Sequence, residues 1–276
     1  MKPIFTGVCT ALITPFRCGE VDFLTMAKLI ERQIAAEVDA LCILGTTGEA
    51  STLTEEEKNA IIRFSLKIVA GRIPIIFGIG GNYPDDIIKN GLFIKNLTAL
   101  PPNTAVMVSA PYYNKCSQAG AVKYFRHIAN KVGLPLIVYN VPARTGVNLS
   151  PQTLGKIAKN RYVRGIKEAS SNIEQISAVI NAAKVPVYCG DDTIALPCYA
   201  VGCAGIVSVA SNVRPKDIRA IWVAKNLAKG RKLFLSQLEF YKSLFREVNP
   251  MPVKFEMARL ELCRNELRLP LTPIEE

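Results

Sequence analysis

The chain has 276 residues, 49% of them hydrophobic and 21% charged, with a formal net charge of +11. That length suits one large domain or two small ones with a sizeable core. No apolar run is long enough to cross a membrane, and the eight cysteines have no CxxC spacing, which argues against a disulfide frame or a zinc site.

Several cysteines sit inside apolar runs and read as buried free thiols of a reducing compartment. The stretch from Met1 to Gly7 has no long apolar core after its lysine, so no signal peptide and a soluble cytoplasmic protein are expected. The basic excess could mark a nucleic-acid surface or solvated helix faces. Much of it (Lys216, Arg219, Lys225, Lys229, Arg231, Lys232) is spread along helical patterns without interleaved aromatics, which favours the second reading. No nucleic-acid partner is expected.

In chain order, short apolar strands are predicted at Val8–Thr14, Ala40–Leu44, Pro74–Ile79, Thr104–Ala110, Leu134–Asn140, Val163–Ala169, Val185–Cys189 and Gly205–Ala210, with helical segments between them. Thr54-Glu55-Glu56-Glu57 is a capping box before a helix that Gly71 ends. Pro84-Asp85-Asp86 opens another helix, and Ser150-Pro151 a third. After the last strand, helices are expected from about Pro215 to the end, broken at Gly230 and at Asn249-Pro250-Met251-Pro252. Alternating strands and helices predict a parallel sheet. Eight such units predict a (β/α)8 TIM barrel over residues 1–214, with the last barrel helix and a C-terminal helical appendage over 215–276. An open doubly wound sheet is the alternative, but Thr14-Pro15-Phe16 follows the first strand instead of a Gly-rich phosphate loop. Gly78-Ile79-Gly80-Gly81 lacks the third glycine of a dinucleotide fingerprint and reads as a tight turn.

Such a barrel carries its chemistry at the C-terminal ends of the strands. Gly45-Thr46-Thr47-Gly48-Glu49 can converge N–H groups and hydroxyls on a small anion, or can be an ordinary turn. Pro111-Tyr112-Tyr113-Asn114 places one tyrosine toward a site and the other toward an interface, or both in packing. In Val163–Ala169, alternation puts Val163, Gly165 and Lys167 on one face, with Gly165 leaving room beneath the amine, and Ile166 on the other. A lysine buried there is expensive unless paired or neutral, and a neutral buried amine forms Schiff bases with carbonyl substrates. Tyr139, at the matching level of the neighbouring strand, could shuttle protons for it. Arg144, on the turn above, suits a carboxylate. A capped core tyrosine and a surface ion pair are the bland alternatives. Gly190-Asp191-Asp192 puts two acids where this fold often binds phosphate, which argues against a phosphorylated substrate. The single histidine, His127, lies inside a predicted helix, so a multi-histidine metal site and a Ser-His-Asp triad are both hard to build.

Gly45-Thr46-Thr47-Gly48-Glu49, Pro111-Tyr112-Tyr113-Asn114, Tyr139-Asn140-Val141-Pro142 with Arg144-Thr145-Gly146, and Gly165-Ile166-Lys167-Glu168 together resemble the dihydrodipicolinate synthase family. That family belongs to the pyruvate-dependent class I aldolases, as does N-acetylneuraminate lyase. The resemblance implies that Lys167 forms an imine with pyruvate and that Tyr139 gives and takes protons. It implies a relay through Thr46 and Tyr113, the latter from a neighbouring subunit. Thr47, Gly190 and the backbone at Val207 would bind substrate, and Arg144 would hold the carboxylate of aspartate 4-semialdehyde. It implies no cofactor and a homotetramer built as a dimer of dimers. Asn82 and Tyr112 match the lysine feedback site of sensitive relatives, whereas Glu55, Lys58 and Asp86 depart from it, as do Cys116 and Ala50 from neighbouring family motifs. A sibling aldolase acting on a sugar acid fits Lys167 and Tyr139 equally, and a non-enzymatic barrel binding an anionic partner is a third reading.

Overall fold

The computed structural model describes residues 2–224 and 226–275, so Lys225 of the basic stretch lies outside it. Eight parallel strands close into a barrel in sequence order: β1 (Gly7–Ala11), β2 (Ala40–Ile43), β3 (Ile75–Gly78), β4 (Thr104–Ser109), β5 (Leu136–Asn140), β6 (Val163–Glu168), β7 (Val187–Cys189) and β8 (Gly205–Ser208). Val8 pairs with Ile206, which joins β8 back to β1 and excludes the open sheet. The strands read as nearly continuous buried runs because one face fills the barrel and the other meets the helices. Between barrel and helices lies the larger core, which includes Val106, Val138 and Ile166. Inside the barrel a smaller core holds Cys9, Cys42, Ile137, Tyr139, Tyr188 and Val207.

The intervening helices are α1 (Phe23–Ala35), α2 (Glu55–Val69), α3 (Pro84–Lys95), α4 (Gln118–Val132), α5 (Pro151–Ala158), α6 (Ile173–Ala183), α7 (Ala195–Ala200) and α8 (Pro215–Trp222). Both sides of the predicted capping box form: Thr54 Oγ1 accepts from Glu57 N at 3.2 Å, and Glu57 Oε2 accepts from Thr54 N at 2.9 Å. Ser150 caps α5 through Thr153 N, with Pro151 in its first turn. A short hairpin, Phe16–Arg17 with Glu20–Val21, was not legible in the sequence.

Four expectations need correction. Gly230 does not break a helix: it lies buried inside α9 (Leu227–Ser243), where an added Cβ would stand 3.2 Å from Leu196. The break comes earlier, and Asn226 caps the new helix through Lys229 N. Helices also do not run to the end. After α10 (Met251–Arg259) the chain has no regular structure and is tied down by its side chains. Val163 faces the outer core with Ile166, because a register shift lets Leu136 pair with Val163 and Ile137 with Gly165. Gly165 makes room for the Tyr188 ring, 2.7 Å from where a Cβ would stand, and not for space beneath the amine.

Candidate active site

After that shift, β5 and β6 resume in step and Tyr139 pairs with Lys167. Both side chains enter the barrel, and each is only 7% exposed. The Lys167 amine lies 4.0 Å from the centre of the Tyr139 ring. Among the described residues it has no ion pair and no hydrogen bond. Gly190, just beyond β7, leaves space for the lysine stem, since a Cβ there would come within 3.1 Å of Lys167 Cε. Two buried thiols share the interior. Burial raises both, Cys42 to about 11 and Cys9 well above its ordinary value, with the Lys167 charge acting in the opposite direction. Both therefore remain uncharged at neutral pH, and the lysine sits among a ring face, aliphatic carbons and neutral sulfur.

Around the mouth, Thr46 and Thr47 open a tight helical turn after β2, with Glu49 in the left-handed region at φ 52°. Thr46 is exposed and Thr47 buried. Thr47 Oγ1 accepts from Asn249 Nδ2 at 2.9 Å. Arg144 stands exposed on the helical turn Pro142–Thr145 and donates to the Asn249 carbonyl at 3.1 Å. Asn249, read from sequence only as part of a helix break, thus touches both residues expected to bind a substrate carboxylate. Its other oxygen, Oδ1, is buried without a partner among the described residues. Tyr113 is 87% exposed, with a left-handed backbone at φ 70°. Among the described residues no hydrogen bond joins Thr46 or Tyr113 to Tyr139. Val207 is buried on β8 beside Cys9. The backbone just past it is held by Asp192, whose Oδ2 accepts from Val209 N at 2.9 Å and Ala210 N at 3.0 Å. Burial lifts the Asp192 carboxyl to about 6, against hydrogen bonds from Ser208 and these amides.

A second buried lysine went unnoticed in the sequence. Lys254 on α10 is fully buried and pairs with Glu49 Oε1 at 2.5 Å. It donates to the Glu266 carbonyl at 2.8 Å and lies 4.2 Å from the centre of the Phe16 ring. Burial lowers its pKa, opposed by the charge and hydrogen bond of Glu49. Arg268 continues the network: its N–H donates to Glu49 Oε2, and its guanidinium pairs with Glu57. Apolar periodicity does not foretell such a pair, because its partners are 205 positions apart in the sequence; the only local sign was a lysine in an otherwise apolar turn, Pro252-Val253-Lys254.

The family model described as the dihydrodipicolinate synthetase family matches residues 4–276. The chain belongs to that family. It is 43% identical to a 4-hydroxy-tetrahydrodipicolinate synthase of Alkaliphilus oremlandii over 99% of this chain and 94% of the relative. A synthase of the same name from Pelobacter propionicus is 39% identical over 98% and 94%. Among solved structures, dihydrodipicolinate synthase from Aquifex aeolicus superposes with a TM-score of 0.93 at 36% identity, covering 98% of this chain and 93% of that one. The chloride-inhibited enzyme from Acinetobacter baumannii complexed with pyruvate gives 0.93 at 37% identity, over 98% and 94%. Glu55 and Lys58, expected from the sequence to depart from a lysine feedback site, form an ion pair of 2.8 Å with each other on α2. Of the two residues expected to match such a site, Asn82 Oδ1 accepts from Tyr112 N at 2.9 Å. His127 is exposed on α4, and no cluster suited to a metal occurs among the described residues. No helix among them is long and apolar enough to cross a membrane.

Proposed function

We propose that this chain condenses pyruvate with L-aspartate 4-semialdehyde to 4-hydroxy-tetrahydrodipicolinate, the reaction of the diaminopimelate and lysine route, and that Lys167 carries it. One observation bears most of the weight: a buried amine with no anionic partner among the described residues lies against a tyrosine at the C-terminal mouth of the barrel. The amine attacks the keto carbon of pyruvate, and the carbinolamine loses water to give an imine. Loss of a methyl proton gives the enamine, whose carbon attacks the aldehyde of the second substrate. That substrate's amine then adds to the imine carbon, closes the ring and expels Lys167.

Tyr139 supplies and removes protons at the carbinolamine, and Thr46 and Tyr113 connect it to solvent. Tyr113 does so from a neighbouring subunit of a homotetramer, a role supported by its exposure and its fixed left-handed backbone. Thr47 takes the pyruvate carboxylate, with Gly190 and the backbone at Val207 against the bound keto acid. Arg144 takes the carboxylate of the aldehyde as a charge-assisted pair. Residues 1–214 form the catalytic barrel, and 215–276 form an extension that steadies the mouth through Asn249 and Lys254. The enzyme works in the cytoplasm without a cofactor. Assay of pyruvate with aspartate 4-semialdehyde against pyruvate with N-acetylmannosamine tests the reading. Turnover of the first pair alone is expected; turnover of the sugar alone would overturn it in favour of a sibling aldolase.

A further inference from the structure

Behind the reacting pair stands a second one. β5 and β6 match Tyr139 with Lys167 and then Asn140 with Glu168. Successive strand side chains point to opposite faces, so Asn140 and Glu168 look away from the barrel interior. Asn140 Nδ2 donates to both Glu168 oxygens, at 3.1 and 3.0 Å. Asn140 is itself anchored: its Oδ1 accepts from Leu149 N at 3.1 Å, and its Nδ2 reaches Asn148 Oδ1 at 2.9 Å. Glu168 also accepts from Ser170 N at 2.9 Å. Main-chain bonds complete the clamp, from Ala169 N to Asn140 O and from Gly190 N to Glu168 O, both 2.9 Å.

Glu168 is fully buried and has no ion pair among the described residues. Burial raises its carboxyl above the usual range, against hydrogen bonds from Asn140 and Ser170. A buried acid without a cation is costly, and an apolar side chain of similar volume would often be neutral or better for stability. What the acid does achieve is geometric. The register of β5 against β6 slips at Leu136/Ile137, just before the reacting pair. A slip of one residue turns every side chain to the other face. A site of this kind loses ~10²-fold for a misplacement of about 1 Å.

We propose that Asn140 and Glu168 are positioning residues that fix β5 against β6 beyond the irregularity and so hold Tyr139 opposite Lys167. The proposal rests on the roles assigned to those two side chains above. Glu168→Gln keeps the shape but sets an amide N–H₂ against the Asn140 N–H₂. It is expected to slow imine formation with pyruvate, followed by borohydride quenching and mass spectrometry, by ~10-fold or more at a temperature where the variant is fully folded, with a modest fall in thermal midpoint. In a Tyr139→Phe background the same change should cost less than ~3-fold, because the tyrosine it positions no longer acts. The swap Asn140→Asp with Glu168→Gln restores one donor facing one acceptor and should recover most of the rate. If Glu168→Gln does not fold, Asn140→Ser, which removes the amide that reaches Glu168 together with its bonds to Leu149 N and Asn148 Oδ1, takes its place with the same two outcomes. Near-normal imine formation in the single variant, or an equal fold-loss in both backgrounds, overturns the proposal. A Tyr139→Phe variant as fast as the parent removes the role of Tyr139 itself and takes the proposal with it.

Discussion

Two lysines are buried in this barrel, and their surroundings differ in kind. Lys254 is saturated: a carboxylate, a carbonyl and a ring face surround its amine. Lys167 has a ring face and neighbouring neutral thiols, with no anion paired to it among the described residues. Burial alone therefore does not mark a nucleophile. The cost of burying an ammonium is partly offset for Lys254 by its carboxylate and carbonyl partners, which engage the amine although burial still lowers its pKa. Lys167 lacks that offset among the described residues, and it stands next to the C-terminal end of its strand, where barrels of this kind carry their chemistry. One lysine ties the C-terminal segment to Glu49; the other is the one proposed to react.

Substitutions should separate the two. Lys167→Ala is expected to abolish imine trapping and to lower turnover by ~10³-fold or more, since no other group can form the covalent intermediate. Lys167→Met should leave the thermal midpoint level or raise it, because it removes an unpaired buried polar group; a large fall would mean that Lys167 has a structural partner. Lys254→Met should show the reverse pattern. Leaving Glu49 buried without its cation costs about 3–5 kcal/mol in chemical unfolding, while imine trapping at a temperature where the variant is folded persists. Tyr139→Phe should slow turnover by ~10²-fold with little change in stability. Arg144→Ala should raise KM for the aldehyde by ~10-fold or more and leave KM for pyruvate within ~3-fold, on the scale of a charged hydrogen bond. The smallest effect is expected where the two regions meet. Asn249→Ala removes the amide that donates to Thr47 but keeps the main-chain carbonyl that holds Arg144; it should raise KM for pyruvate by ~3–10-fold, on the scale of one neutral hydrogen bond, and leave KM for the aldehyde within ~2-fold.

The barrel was legible because its signals are local. Strand alternation, the Thr54 capping box and the Ser150-Pro151 start are each read within a few residues, and they recur around a closed sheet. The pairing of Tyr139 with Lys167 was legible for the same reason, since neighbouring strands of a parallel barrel run in step. What stayed hidden depends on contacts between distant segments. Glu49 and Lys254 meet only after the C-terminal segment folds back, and Asn249 reaches Thr47 and Arg144 in the same way. Val163 was placed on the wrong face because a bulge leaves no mark in the alternation it interrupts. Gly230 looked like a stop, although close packing against Leu196 explains a glycine inside the helix.

The most direct test of the central claim sets the two lysines against each other in one tube. The protein is incubated with pyruvate, reduced with borohydride, digested and mapped by mass spectrometry. The account predicts that the peptide containing Lys167 gains the mass of pyruvic acid less one oxygen, while the peptide containing Lys254 is unchanged. An adduct on Lys254, or none on Lys167, would contradict it.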